Sequence, residues 1–179
     1  MPWKIPGAAL ETQREMDTGE DTLSTLFLGG DITLSQVAAI TGLKAHTIQN
    51  WVKRGFLPPT VGKKYSLNHL CRILNLHALQ GVFSLEQACR LLDYAKGVGE
   101  EQSADDDLYF LFVTLVARAR QLAKPEACER IVQEMLRDYT EPTPGAKDRL
   151  AQSLKVMLTS YLSATLRSSA EEQFSQLIK

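Results

Sequence analysis

Apolar side chains recur at helical spacing through most of this chain, and glycine or proline marks the breaks. Thr33 stands before Leu34, Val37, Ala38 and Thr41, which follow a three-four rhythm. Gly42 comes next, at the position where only glycine takes a positive φ cheaply, so a short capped helix is expected here. After a turn of about three residues, Ala45 to Arg54 reads as a second helix. Ile48, Trp51 and Val52 lie at i, i+3 and i+4 and face inward, which leaves His46, Thr47, Gln49, Asn50 and Lys53 outward. Gly55 closes that helix, and Pro58-Pro59 forces an extended exit. Val61-Gly62-Lys63-Lys64-Tyr65 can form a tight hairpin with basic residues at its tip. Asn68 is the expected cap of a third helix bearing Leu70, Ile73, Leu74, Leu76 and Leu79. Ser84 with Gln87 forms a reduced capping box for a fourth, from Leu85 to Tyr94.

Upstream, residues 1–20 are polar with Pro2, Pro6 and Gly7, and read as a loose arm; a short helix is expected from Asp21 to Leu28. Downstream, residues 95–106 are acidic and contain glycine, a linker composition whose acids read as solvated. Asp105, Asp106 and Asp107 then precede a helix from Leu108 to Gln121 that is apolar on nearly every side and so must be buried on two faces. Pro125 is a first-turn residue for the next helix, reaching about Tyr139, and the segment from Glu141 to Gly145 breaks it. A last helix runs from Ala146 towards Leu166. Its stripe of Leu150, Leu154, Met157 and Tyr161 suits either a dimer seam or an ordinary packed face. The organisation is therefore an arm and short helix over 1–30, a head of short helices and a hairpin over 31–94, a linker over 95–106 and a helical bundle over 107–179.

Charge sharpens this picture. The chain of 179 residues has a formal net charge of -1, which says nothing of partners. Its distribution does: Ile32 to Leu85 contains no Asp or Glu but carries Lys44, Lys53, Arg54, Lys63, Lys64 and Arg72, while all 21 acids lie elsewhere. A basic segment in an otherwise acidic chain is the outline of a polyanion-binding module. The order of helix, glycine turn, polar-faced helix and basic hairpin is that of a winged helix-turn-helix, whose second helix enters the major groove. Gln49 and Asn50 can pair bidentately with adenine, His46 and Thr47 sit near phosphates, and Lys63 and Lys64 release counterions from the backbone.

The run TLSQVAAITGLKAHTIQNWVKRGFLPP, then GKKYS and GVFSLEQACRLL, resembles the MerR-like DNA-binding domain over roughly a third of the chain. The head with NWVKRG and GKKYS resembles still more an uncharacterised bacterial family of unknown function. The resemblance implies a mainly α fold: a winged helix-turn-helix head with a small β-hairpin wing, followed by an all-α bundle. It also implies a transcription regulator binding double-stranded DNA, with Lys44, His46, Thr47, Gln49, Asn50, Lys53, Arg54, Lys63, Lys64 and Tyr65 as the DNA-facing set. Where the family usually carries Arg-Tyr-Tyr, this chain has Gln49, Asn50 and Trp51.

Other chemistries find little support. His69, Cys71 and His77 do not share a helix face, so no metal is expected, and Cys71, Cys89 and Cys128 read as buried free thiols. No nucleophile elbow, Walker loop or HExxH motif occurs, so neither an enzyme nor a cofactor is expected. The amino terminus lacks the pattern of a secretory signal, and the apolar stretch from Leu108 to Ala117 is too short to span a bilayer, which suggests a cytoplasmic protein. A homodimer with an unknown effector is the expected assembly. The alternatives are a protein-interaction adaptor on a winged-helix scaffold and an excisionase-like architectural DNA-binding protein.

Overall fold

A computed structural model describes residues 3–9, 11–12, 20–97, 104–120 and 127–177. In chain order the elements are β1 (Trp3–Lys4), β2 (Glu11–Thr12), α1 (Glu20–Leu26), β3 (Ile32–Thr33), α2 (Leu34–Thr41), α3 (Ala45–Lys53), β4 (Lys64–Tyr65), α4 (Leu67–Leu79), α5 (Leu85–Lys96), α6 (Asp105–Arg120), α7 (Ala127–Met135) and α8 (Ala146–Leu177). The fold is mainly α, with two small antiparallel pairings, β1 with β2 and β3 with β4.

Side-chain caps set three of the helix starts. Thr33 and Gln36 form a reciprocal capping box on α2, and Ser84 with Gln87 does the same on α5, each satisfying donors that the first turn leaves without partners. Gly42 ends α2 at φ 74, in the left-handed region. The buried Thr41 hydroxyl ties off this turn: it donates to the Val37 carbonyl at 2.8 Å and accepts from the Leu43 amide at 3.2 Å. The start of α4 differs from expectation. Ser66 caps it together with His69, while the Asn68 side chain accepts the Asp105 amide at 2.7 Å. Asn68 thus caps α6, a helix 37 residues further on, through a contact that no local pattern encodes.

Two helices form the centre. From Leu70 to Leu76 every residue of α4 is buried, and Leu108, Tyr109, Phe112, Val113, Leu115 and Val116 of α6 are at most 2 % exposed, as an all-round apolar helix requires. α6 packs on α4, and α8 packs on α5 and α6, so one apolar cluster runs from Ile5 to Leu158. The stripe weighed as a dimer seam lies within that cluster. Leu150, Leu154 and Met157 are buried and so are not available to a second copy, and the half-buried Tyr161 meets Phe112 edge to face at 6.1 Å. α8 itself continues eleven residues past Leu166, to Leu177. Leu166, Phe174 and Leu177 on that distal part are exposed.

The arm is not loose where it is described. Ile5 and Ala8 are buried, the Ala9 amide donates to the Ile40 carbonyl at 2.8 Å, and the Tyr109 hydroxyl donates to the Pro6 carbonyl at 2.9 Å. Its polar composition hid two apolar anchors and a set of carbonyls that reach buried donors. Residues 13–19 of the expected arm, residues 98–103 of the expected linker and the helix start at Pro125 lie outside the described residues.

A buried ion network joins the two halves. Arg72 on α4 donates from Nε to the Phe56 carbonyl at 2.8 Å and lies 3.0 Å from Asp93 of α5 and 3.3 Å from Asp105 of α6. Lys96 closes the set at 2.9 Å from Asp105. Asp105 is 2 % exposed, so it is not a solvated linker acid. Burial pulls the Arg72 guanidinium pKa down, but the charges of Asp105 and Asp93 outweigh that and leave it above the ordinary arginine value.

Candidate nucleic-acid interface

Helix α3 offers one polar stripe. His46, Gln49, Asn50 and Lys53 sit at i, i+3, i+4 and i+7 and are all exposed, whereas Ile48 and Trp51 are buried against the core. Thr47 is half-buried at the edge of the stripe, and Lys44, exposed, is the N-cap residue. A helix of nine residues is roughly 13 Å long and 10–12 Å across with its side chains, a size that a B-DNA major groove accepts. No acid lies on it, so no carboxylate repels a phosphate there.

The basic hairpin tip takes an unusual form. The Lys64 amide donates to the Val61 carbonyl at 3.0 Å across Gly62 and Lys63, which have φ of 58 and 59. Both central residues are therefore left-handed, the signature of a type I′ turn. Lys63 is the one non-glycine residue with positive φ among the described residues, in a conformation that costs an L side chain about 1–2 kcal/mol. The turn leads into β4, which pairs with β3 in the register Ile32 with Tyr65 and Thr33 with Lys64.

The remaining expected positions divide. Lys63 and Lys64 are exposed. Tyr65 is 4 % exposed, its ring is 6.0 Å from His69 in an edge contact, and burial raises its hydroxyl pKa. Alternation along a strand points Lys64 out and Tyr65 in, so Tyr65 is a core residue and its assignment to DNA is corrected. Arg54 is surface-exposed but engaged: its guanidinium is 2.8 Å from Glu86 and 4.6 Å above the Phe56 ring.

The six cations of the acid-free stretch are thus not equivalent. Arg72 is internal and Arg54 is paired, while Lys44, Lys53, Lys63 and Lys64 are exposed without an ion pair among the described residues. Sequence reasoning missed both subtractions. Glu86 is the first acid after the stretch, and its place one residue beyond the stretch was the available hint for the first.

The residues weighed for a metal are separately engaged. His69 Nδ1 is 2.8 Å from the Ser66 hydroxyl, His77 Nδ1 is 2.8 Å from the Gly7 carbonyl, and Cys71 is fully buried, which pushes its thiol pKa up. Cys71, Cys89 and Cys128 are all free. Among the described residues no helix is long and apolar enough to cross a membrane.

Residues 24–112 match the model of a family described as a domain of unknown function, DUF1836. The matched span runs from α1 into the first half of α6. Over 106 residues the chain is 29% identical to the uncharacterized protein YkrK of Bacillus subtilis (strain 168). That match covers 57% of this chain and 44% of the relative, so the chain spans less than half the relative's length. These matches make the chain similar to a bacterial family of unknown function. No solved structure matches it.

Proposed function

We propose that this chain is a sequence-specific regulator of transcription that binds double-stranded DNA through a MerR-like winged helix, with α3 in the major groove and the Gly62-Lys63 turn as the wing. The observation that carries the reading is the strained Lys63. A lysine held at positive φ, where glycine or asparagine is cheaper, spends stability to present a cation at the tip of a turn. The acid-free polar stripe on α3 supports it, as do the four exposed lysines that have no ion pair among the described residues. Gln49 and Asn50 supply the base-reading groups, and Lys44, Lys53, Lys63 and Lys64 contact phosphates. The regulator acts as a homodimer on two half-sites. With Leu150, Leu154 and Met157 inside the chain, pairing falls to the distal part of α8.

Fluorescence anisotropy on DNA selected from a random pool tests this reading. Affinity should fall linearly with salt on logarithmic axes, with a slope of about -0.9 for each phosphate neutralised. Lys63→Glu combined with Lys64→Glu should weaken binding about tenfold or more. No binding at low salt, or binding indifferent to the double substitution, sinks the proposal. Lys63→Gly separates the turn from the charge. It should hold or raise stability, by up to about 1 kcal/mol, because the left-handed strain is relieved. It should also lose DNA affinity several-fold and reduce the salt slope by about 1.

A protein-interaction adaptor is the second reading, favoured by the exposed Leu166, Phe174 and Leu177 on α8. A selection that returns no DNA, with a pull-down that returns one protein through this end of α8, favours the adaptor.

A further inference from the structure

A cavity of about 520 Å³ opens between the ends of α1 and α5, the first half of α6 and the segment leading into α8. That volume lies within the range of pockets that enclose small organic molecules, roughly 300–1,000 Å³. Its wall is apolar where Leu108, Leu111 and Leu150 line it and aromatic where Phe110 and Tyr139 do. Leu108 and Leu150 are buried, while Phe110, Leu111 and Tyr139 are half-buried, so a ligand would cover apolar surface that the fold itself leaves partly open.

The charges on the wall decide what kind of head group fits. Among the described residues Lys96 is the one cation lining it, but its ammonium is 2.9 Å from the buried Asp105 carboxylate and only 10% exposed, so its charge is already answered. Asp107 lines the same cavity, is exposed and makes no ion pair among the described residues. Glu20 also lines the cavity. Asp107 lies in the first turn of α6. An anionic ligand would meet Asp107 with no free cation among the described residues to offset it. A cationic ligand would meet a carboxylate, with two aromatic rings nearby whose faces attract positive charge.

We propose that this cavity is a binding site for a small organic cation with an apolar body, the ammonium held by Asp107 and the body lying against Phe110, Leu111 and Tyr139. Nothing in this site depends on α3 or on DNA, so it stands or falls independently of the function proposed above.

Isothermal titration of the full chain with three compounds that share one body tests it: 4-phenylbutylamine, 4-phenylbutanol and 4-phenylbutyrate. The amine should bind about three- to five-fold more tightly than the alcohol, as a partly exposed ion pair provides, and the carboxylate more weakly than either. Asp107→Asn should reduce the preference for amine over alcohol to near unity and leave alcohol binding unchanged. Thr114→Trp, which fills the cavity from α6, should abolish binding of all three, and Pro142→Trp approaches it from the opposite wall should the first variant fail to fold. Melting curves establish that each variant is folded. If none of the three compounds binds, or if a folded cavity-filling variant binds as the natural chain does, the site is refuted. If alcohol and amine bind equally, or Asp107→Asn leaves the preference intact, the cationic class is refuted.

Discussion

Asp105→Ala should destabilise the chain by about 3–5 kcal/mol, the usual consequence of removing one member of a buried ion pair and leaving its partner charged. Asp105 holds Arg72 with one carboxylate oxygen and Lys96 with the other, and all three side chains are at most 10% exposed, so solvent screening offers no relief. Without Asp105, Arg72 keeps Asp93 and the Phe56 carbonyl, but Lys96 has no other carboxylate within bonding distance among the described residues. For a chain of this size the melting temperature should fall by about 6–20 °C. Asp93→Ala is the control. That carboxylate is 56% exposed and its loss should cost less than about 1 kcal/mol. Melting temperatures within a few degrees of each other for the two variants would mean that the network does not hold the halves together.

Gly7→Ala should have an effect of similar size for a different reason. At φ 73 glycine is the residue that adopts the conformation without strain, and a Cβ placed there would lie 2.0 Å from the Leu74 carbonyl oxygen. The obstacle is helix backbone, which cannot turn aside as a side chain can. The arm must lift, taking with it the bond between His77 and the Gly7 carbonyl and part of the burial of Ile5. The left-handed penalty of about 1–2 kcal/mol and the exposure of one isoleucine, at most about 1.5–3 kcal/mol, together predict a loss of about 2–5 kcal/mol. Thermal melting read beside amide exchange at Ala9, whose amide donates to Ile40, tests it. An unchanged melting curve with Ala9 still protected contradicts the account.

Local chemistry made much of the helical order legible. Thr33 with Gln36 and Ser84 with Gln87 are short-range devices, and so is Gly42; each satisfies backbone groups within a few residues, so the residues alone reveal them. The apolar period of α3 and the nearly all-round apolar surface of α6 are of the same kind. The start of α4 was misread because Ser66 and Asn68 are both good caps, and only the position of α6 decides which one Asn68 serves. The stripe on α8 was ambiguous for a related reason. Spacing shows which residues share a face, whereas the surface that face meets depends on how α5 and α6 approach it.

The candidate interface divides along the same line. Residue types and spacing set His46, Thr47, Gln49, Asn50 and Lys53 opposite Ile48, Trp51 and Val52, and placed basic residues at the tip of a tight hairpin. Only the tertiary structure decided which cations remain available. Arg72 is drawn inward by Asp105, Arg54 is answered by Glu86 and Tyr65 is turned into the core. A helical period or a capping box acts over a few residues and is written in their order, whereas an ion pair across 33 residues depends on distances that exist only once the chain has folded.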